Sequence, residues 1–360
     1  MVEWKKLGEV CKVLDSQRKP VSKGNRSQGE YPYYGANGIQ DYVDGYIFDG
    51  TYLLLGEDGS VINTDNSPVL HWATGKIWVN NHAHILQENN KALLRYLYYT
   101  LQCTDVSDIV RGMPPKINQA NMRNILIPIP SLEEQARIVG ILDTFTSAID
   151  NLKEQIAQRR KQYEYYLDQL LDLEGKPGVE MKTLGEIGDV CMCKRIMKDQ
   201  TSEYGDVPFY KIGTFGGKAD SYISRELFEE YKSKFSYPKK GEILLSASGT
   251  IGRKVVYNGE DAYFQDSNIV WIANNEKIVT NIFLYYIYSI IDWKVDGGTI
   301  KRLYNYNLKS SIIPVPSLSD QQRIVSILDT FEASIQNLEA QLSQREKQYE
   351  YYRNKLLTFE

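Results

Sequence analysis

The chain has 360 residues, with 42 Lys and Arg against 46 Asp and Glu, a net charge of -4, and 42% hydrophobic residues. That is length for two or three domains, each with its own core, and a charge balance that excludes a blanket polyanion binder while leaving room for a local basic face. With no basic-then-apolar leader, no apolar run long enough to span a bilayer (residues 278–293 are too short) and four irregularly spaced cysteines, a cytoplasmic, membrane-free protein with reduced thiols is expected.

Residues 1–125 read as a mixed region of short, Gly-punctuated strands rich in Tyr, Val and Ile. A strand signal opens it at Leu7-Gly8-Glu9-Val10-Cys11. A loop dense in Arg, Lys, Asn and Gln follows, from Gln17 to Gln28. Strand-like runs come next at Pro32-Tyr33-Tyr34 and at Leu53-Leu54-Leu55, the latter leading to Gly59-Ser60-Val61. An apolar helix is expected at 93–101, and a loop at 112–121 closes the region.

Residues 126–173 form a second segment. An extended IPIP ends at Pro130, Ser131 supplies an N-cap, and Glu134 stands three residues on, close to a capping box. The helix expected over 131–172 carries a seam in which spacings of four and three alternate: Phe145, Ile149, Leu152, Ile156, Arg159, Tyr163, Tyr166 and Leu170. Such alternation means coiled-coil pairing, over about 60 Å at 1.5 Å per residue. Glu174-Gly175-Lys176-Pro177-Gly178 then stops the helix.

The chain now repeats itself. Residues 174–311 hold a linker and a second mixed region that matches the first only in outline: Leu184-Gly185-Glu186, Pro208-Phe209-Tyr210, Ile243-Leu244-Leu245 before Gly249-Thr250-Ile251, a helix at 282–291, and a loop at 298–307. Residues 312–360 repeat the helix. From Ile313, IPVPSLSDQQRIVSILDTFEASIQNLEAQLSQREKQYEYYRNKLL aligns without a gap on IPIPSLEEQARIVGILDTFTSAIDNLKEQIAQRRKQYEYYLDQLL from Ile127, and roughly 28 of about 45 positions match, which is duplication. Ser317 and Asp320 repeat the cap, and Phe331, Ile335, Leu338, Leu342, Arg345, Tyr349, Tyr352 and Leu356 repeat the seam. Arg159 and Arg345 sit at one place in it, either setting register or reaching out to a neighbouring Glu. A chain that keeps its helices alike and lets its globular parts diverge uses the helices as a common frame.

Catalytic signals are thin. Phe215-Gly216-Gly217 resembles a glycine-rich S-adenosylmethionine loop without the helix that should follow. Met113-Pro114-Pro115 resembles the Asn-Pro-Pro-aromatic motif of amino-methyltransferases but lacks both the Asn and the aromatic. Glu230-Tyr231-Lys232 has no Pro-Asp before it. His82-Ala83-His84 lacks the further ligands zinc needs, and Cys191-Met192-Cys193 reads as strand positions near a core, so no metal and no catalytic residue is expected.

Binding signals are better. Arg18, Lys19, Lys23 and Arg26 lie in the first basic loop, with Asn80, Asn81 and Lys116 further on. Lys194, Arg195, Lys198, Arg253, Lys254, Lys301 and Arg302 occupy separated loops of the second region. These side chains neutralise phosphates or reach base edges, and their recurrence in both regions favours DNA contacts over plain surface loops.

The doubled IPxPSLxxQxRIVxILDTF, with YPYYGANGIQDYVDGYIFDG at 31–50 and KKGEILLSASGTIG at 239–252, resembles the specificity subunit of type I restriction-modification systems over essentially the whole chain. The resemblance implies an α+β fold: two mixed target-recognition domains, with short twisted sheets and a few helices, separated by two long helices in an antiparallel coiled coil of pseudo-twofold symmetry. It implies a non-catalytic subunit that reads an asymmetric bipartite site in double-stranded DNA. Adenine methylation would lie in two copies of a modification subunit using S-adenosylmethionine, and cleavage in restriction/translocase subunits using ATP and Mg; this chain would bind no cofactor. The rival expectation is a coiled-coil scaffold whose end domains bind proteins.

Overall fold

The computed structural model describes residues 2–297 and 301–359. It divides into two compact units, Met1–Glu154 with Glu339–Glu360, and Gln155–Leu338. Each unit contains one globular region and a length of both long helices.

The first unit opens with β1 (Glu3–Lys6), α1 (Leu7–Val10) and β2 (Lys12–Val13). Five strands follow: β3 (Gln28–Gly35), β4 (Gly38–Val43), β5 (Phe48–Gly56), β6 (Leu70–Val79) and β7 (Ala83–Gln87). Then come α2 (Leu94–Leu101), α3 (Gln119–Arg123), β8 (Leu126–Ile129) and the start of α4 (Leu132–Leu171). The main sheet has the order β2-β7-β5-β6-β3-β4, antiparallel except where β3 meets β6 in parallel. A separate ribbon joins β1 to β8. Alternation along β5 sends Leu53 and Leu55 into one core, with α1, α2 and α4, and Phe48, Tyr52 and Leu54 into another across the sheet. Both faces are covered, which is why the run reads as almost continuously apolar.

The second unit repeats this plan. It has β9 (Glu180–Thr183), α5 (Leu184–Ile187), β10 (Gly188–Cys191), β11 (Val207–Tyr210), β12 (Tyr222–Ile223), α6 (Arg225–Lys234), β13 (Ile243–Ser246), β14 (Lys254–Val256), β15 (Tyr263–Phe264) and β16 (Ile269–Asn274). After these come α7 (Asn281–Ile287), α8 (Asn305–Ser310), β17 (Ile312–Val315) and α9 (Leu318–Leu357). The order β10-β16-β13-β14 reproduces β2-β7-β5-β6, and β9 pairs with β17 as β1 does with β8. The single strand β6 is here two short ones, β14 and β15, parted by a turn at Gly259 (φ +91°). Helix α7 stops at Ile287, short of the expected 291. There the Lys254 ammonium donates to the Tyr285 carbonyl in the last turn and to the Ser289 hydroxyl just beyond it.

Both long helices run 40 residues, within a residue of their sequence bounds. Ser131 and Ser317 cap them, each taking the N–H three residues on at 3.2 Å. The expected capping box is half made: Glu134 turns to Arg137, and Asp320 accepts from the Ser317 hydroxyl at 2.7 Å and meets Arg323 at 3.4 Å, in place of the cap's backbone N–H. The helices pair antiparallel. In the first unit Phe145 stacks on Tyr352 at 5.3 Å, and in the second Phe331 stacks on Tyr166 at 5.2 Å, the repeat-equivalent pair. Arg345 lies over Phe145 and Arg159 over Phe331, at 5.8 and 5.7 Å. The seam arginines thus make cation–π contacts where the sequence reading offered register-setting or a neighbouring Glu. Ile149 and Ile156 are buried, while Leu152, Ile335, Leu338 and Leu342 are half-covered. Tyr163 donates to Glu332 at 2.9 Å and Tyr349 to Gln102 at 2.9 Å.

The duplication reaches individual bonds. Gln135 and Gln321 are both fully buried, and each donates to the proline carbonyl five residues back at 3.0 Å. Each also accepts a backbone N–H from the globular region, Leu93 or Thr280, at 2.9 Å. Tyr99 donates to Asp143 and Tyr286 to Asp329. These bonds fasten each globular region to its helix. Among the described residues no helix is long and apolar enough to cross a membrane.

Candidate nucleic-acid interface

In each unit the candidate interface lies where the parallel strand pair ends. Tyr33 and Tyr34 of β3 lie beside Trp78 and Val79 of β6, and Phe209 and Tyr210 of β11 lie beside Tyr263 and Phe264 of β15. One residue beyond, the N–H of Asn80 donates to Tyr34 O at 3.0 Å, and that of Gln265 to Tyr210 O at 2.9 Å. Both amides then hold a neighbouring backbone N–H, His82 for Asn80 and Ile212 for Gln265. An amide at this corner shapes the loop that follows it.

In the first unit a network of charges holds the basic loop against that corner. Asp15 is buried; it accepts from the Ile85 N–H at 2.9 Å and Gln119 at 2.8 Å, and meets His84 Nδ1 at 2.6 Å. His84 Nε2 lies 2.8 Å from Ile117 O, so both ring nitrogens face acceptors. Burial works to raise the Asp15 carboxyl, but the His84, Ile85 and Gln119 bonds outweigh it and leave it below the usual carboxylate range. Arg18 donates to Glu57 at 2.5 Å and to the Ala83 carbonyl at 2.9 Å, and Lys116 reaches Glu57 at 3.2 Å. Asp15, Glu57 and His84 bring ligand atoms within 4.8 Å of one another, as a metal site does. The Arg18 guanidinium stands among them as the cation, so the geometry is that of an ion-paired strut.

The residues picked from sequence fall into two groups. Arg18 and Arg26 are largely covered; Arg26 donates to Asp41 at 3.2 Å and lies 4.1 Å above the Tyr33 ring. Asn80 is buried. Lys19, Lys23, Asn81 and Lys116 are exposed around them. In the second unit Lys194, Lys198 and Lys301 are exposed, Lys194 over Phe235 at 5.2 Å. Arg195 is 65% exposed while bonded to Asp266 at 2.7 Å. Arg253 donates to Phe215 O at 2.9 Å, and Arg302 to Ser267 and Asn268. Lys254 lies 3.7 Å above the Tyr285 ring, and burial pulls its amine down to about 8. Arg18, Arg26, Lys254 and Arg302 therefore position loops, and the exposed set faces solvent.

Sequence reasoning passed over Arg111, Lys211 and Gln265. Lys211 and Gln265 line a concavity of about 460 Å3 with Arg195, Lys198, Asp266 and Asn268. Their only sequence signal was position, one residue past each strand of the parallel pair. Basic groups beside amides in a shallow, polar concavity can hold phosphates and offer donors and acceptors to base edges.

The chain is similar to known proteins in sequence and in fold. Residues 1–159 and 177–346 match the family model described as "Type I restriction modification DNA specificity domain". A Haemophilus influenzae chain assigned to the type I restriction enzyme specificity subunits is 49% identical, covering 99% of this chain and 96% of that one. The EcoR124I/EcoR124II specificity subunit of Escherichia coli is 29% identical, covering 99% and 94%. In fold, the chain is similar to the crystal structure of a type I restriction-modification S subunit from M. genitalium, with a TM-score of 0.68 at 16% identity, covering 100% and 97%.

Proposed function

The chain belongs to the type I restriction-modification DNA specificity family, and from that premise we propose that it is the sequence-reading subunit of a type I complex. Each unit reads one half of a split site in double-stranded DNA, and the paired helices set the gap between the halves. One observation carries the reading: a frame duplicated down to Gln135 and Gln321 holds two interfaces that share a plan and differ in nearly every side chain. Unlike faces on like frames call for unlike half-sites. The exposed set, Lys19, Lys23, Asn81 and Lys116 in one unit and Lys194, Arg195, Lys198 and Lys301 in the other, supplies the contacts.

The chemistry belongs to partners. Two copies of an adenine methyltransferase subunit use S-adenosylmethionine, restriction subunits use ATP and Mg, and this cytoplasmic chain supplies the address without a cofactor or catalytic residue of its own. The test is co-expression with the methyltransferase subunit and mapping of methylated adenines in host DNA. A split motif with two unlike halves and a fixed gap is expected. Replacing residues 1–125 with those of a relative should change one half, and inserting one heptad into α4 should change only the gap. A change in both halves from either edit, or a stable complex that methylates no motif, would overturn the reading. The latter outcome would favour a protein-binding scaffold.

A further inference from the structure

Met113-Pro114-Pro115 has no place in methyl transfer, yet it is built with care. Met113 is 99% exposed, more than any other large apolar residue among those described. It stands at the tip of a turn whose arms are bridged both ways, Arg111 N–H to Lys116 O at 2.9 Å and Lys116 N–H to Arg111 O at 2.8 Å. The turn is fastened to the loop after β5: the Gly59 N–H donates to Pro115 O at 2.9 Å, Asp58 pairs with Lys116, and the Lys116 ammonium meets Glu57. Two prolines with fixed φ stiffen the tip, and Gly112 takes the left-handed φ of +84° that the turn requires. The braced turn keeps the side chain in water, where covering it with a partner would be favourable.

The surroundings indicate what covers it. Arg111 and Lys116, both exposed, flank the tip with positive charge. The fastening runs through Glu57, which also holds Arg18, and Asp58, which holds His82 at 3.0 Å. The tip therefore rises from the same loop cluster as Asn81 and Lys116. We propose that Met113 is a wedge that enters duplex DNA between adjacent base pairs, with Arg111 and Lys116 on the phosphates to either side. This rests on the reading of the chain as a DNA-binding subunit.

Apolar side chains such as Met and Pro pushed between base steps unstack them and bend the duplex, and the bend brings more of the protein onto the DNA. Such a wedge needs a stem that does not yield, which the bridges and prolines provide. It also reads sequence without a hydrogen bond, because pyrimidine–purine steps unstack most easily. A preference for such a step at or beside the first unit's half-site follows. The repeat-equivalent residues of the second unit, 298–300, including Gly298, lie outside the described residues.

The test uses the full chain and end-labelled duplexes carrying its methylation motif, with bending read by energy transfer and affinity by titration. The parent should bend the duplex. Met113→Ala, on a fully exposed side chain, should fold normally, lose the bend and bind about tenfold more weakly; Met113→Leu should keep both properties. A mismatch or abasic site at the wedged step should restore binding to the Met113→Ala chain. Unchanged bending and affinity in Met113→Ala would overturn the wedge while leaving the DNA reading intact. Intact bending with loss of the methyltransferase subunit would make the tip a protein contact. A parent chain that binds no duplex would overturn the DNA reading itself.

Discussion

In the first unit Asp15, His84, Glu57, Arg18 and Lys116 form a strut of alternating charge behind the basic loop. In the second unit the same corner is held by neutral and mixed groups: Arg302 on Ser267 and Asn268, Ser248 on Asn268, and Arg195 on Asp266 nearer the surface. The first unit's sheet runs β6 unbroken for 10 residues, whereas the second splits that strand and adds α6. Behind these differences the bonds of Gln135 and Tyr99 recur at Gln321 and Tyr286. Buried bonds to helix and backbone are costly to change, because any loss strands a partner without water. Groups at the loop corner can be exchanged as sets, provided each set satisfies itself.

That contrast can be broken most sharply at the frame. Gln135→Ala and Gln321→Ala should each cost about 3 kcal/mol, since each leaves a backbone N–H and two carbonyls without their partner. The melting of the affected unit should fall by about 6–12 °C, equally for both variants in calorimetry. A large inequality would mean that the frames are alike in sequence but not in energetics.

The strut offers the next largest effect. Asp15→Asn should destabilise the first unit by about 2 kcal/mol at neutral pH and leave the second unchanged. Because the folded Asp15 carboxyl lies below its ordinary value, its contribution is complete above about pH 4 and is lost as pH falls through the depressed value. Parent and variant curves should therefore converge in acid; parallel curves down to pH 2 would show that the strut does not depend on this charge.

Lys254 gives the smallest effect, in the second unit alone. Its amine is held down to about 8, so the folded state binds fewer protons than the unfolded one between about pH 8 and 10.5. Stability should rise across that window in the parent and stay flat in Lys254→Met, which should melt about 2–4 °C higher at pH 7. A Lys254→Met chain that melts lower would mean that the contacts with Tyr285 and Ser289 outweigh the desolvation of the charge.

How much of this was legible in the sequence depended on the range of the interaction. The heptads, the serine caps and the Gly-Pro stop are local signals, and they gave both helices to within a residue. Much of the strand plan was legible because apolar runs such as 53–55 and 243–245 survive in both units, but the opening runs at Leu7 and Leu184, read as strands, are the short helices α1 and α5. The site was legible only as loops. Arg18 looks like a phosphate ligand until Glu57 and Ala83, 39 and 65 residues away, are brought beside it. Lys254 likewise meets Tyr285 only in three dimensions. Composition cannot separate a cation that braces a loop from one that faces outward. Met113 was read by its motif and dismissed, because exposure on a braced turn has no sequence signature.

The division into units also bears on how the chain is made. The second unit is a single unbroken stretch, Gln155–Leu338, whereas the first takes Leu357 into its core beside Ile138 and Leu142. On the ribosome, residues 1–154 emerge first but lack part of their core until residues 339–357 follow. The usual order, N-terminal part first, is thereby reversed: the unit begun last can close before the one begun first. Until residues 339–357 emerge, the early half of the chain is an unfinished surface that aggregation or a chaperone can reach, and the first face waits for its frame after the second can have closed.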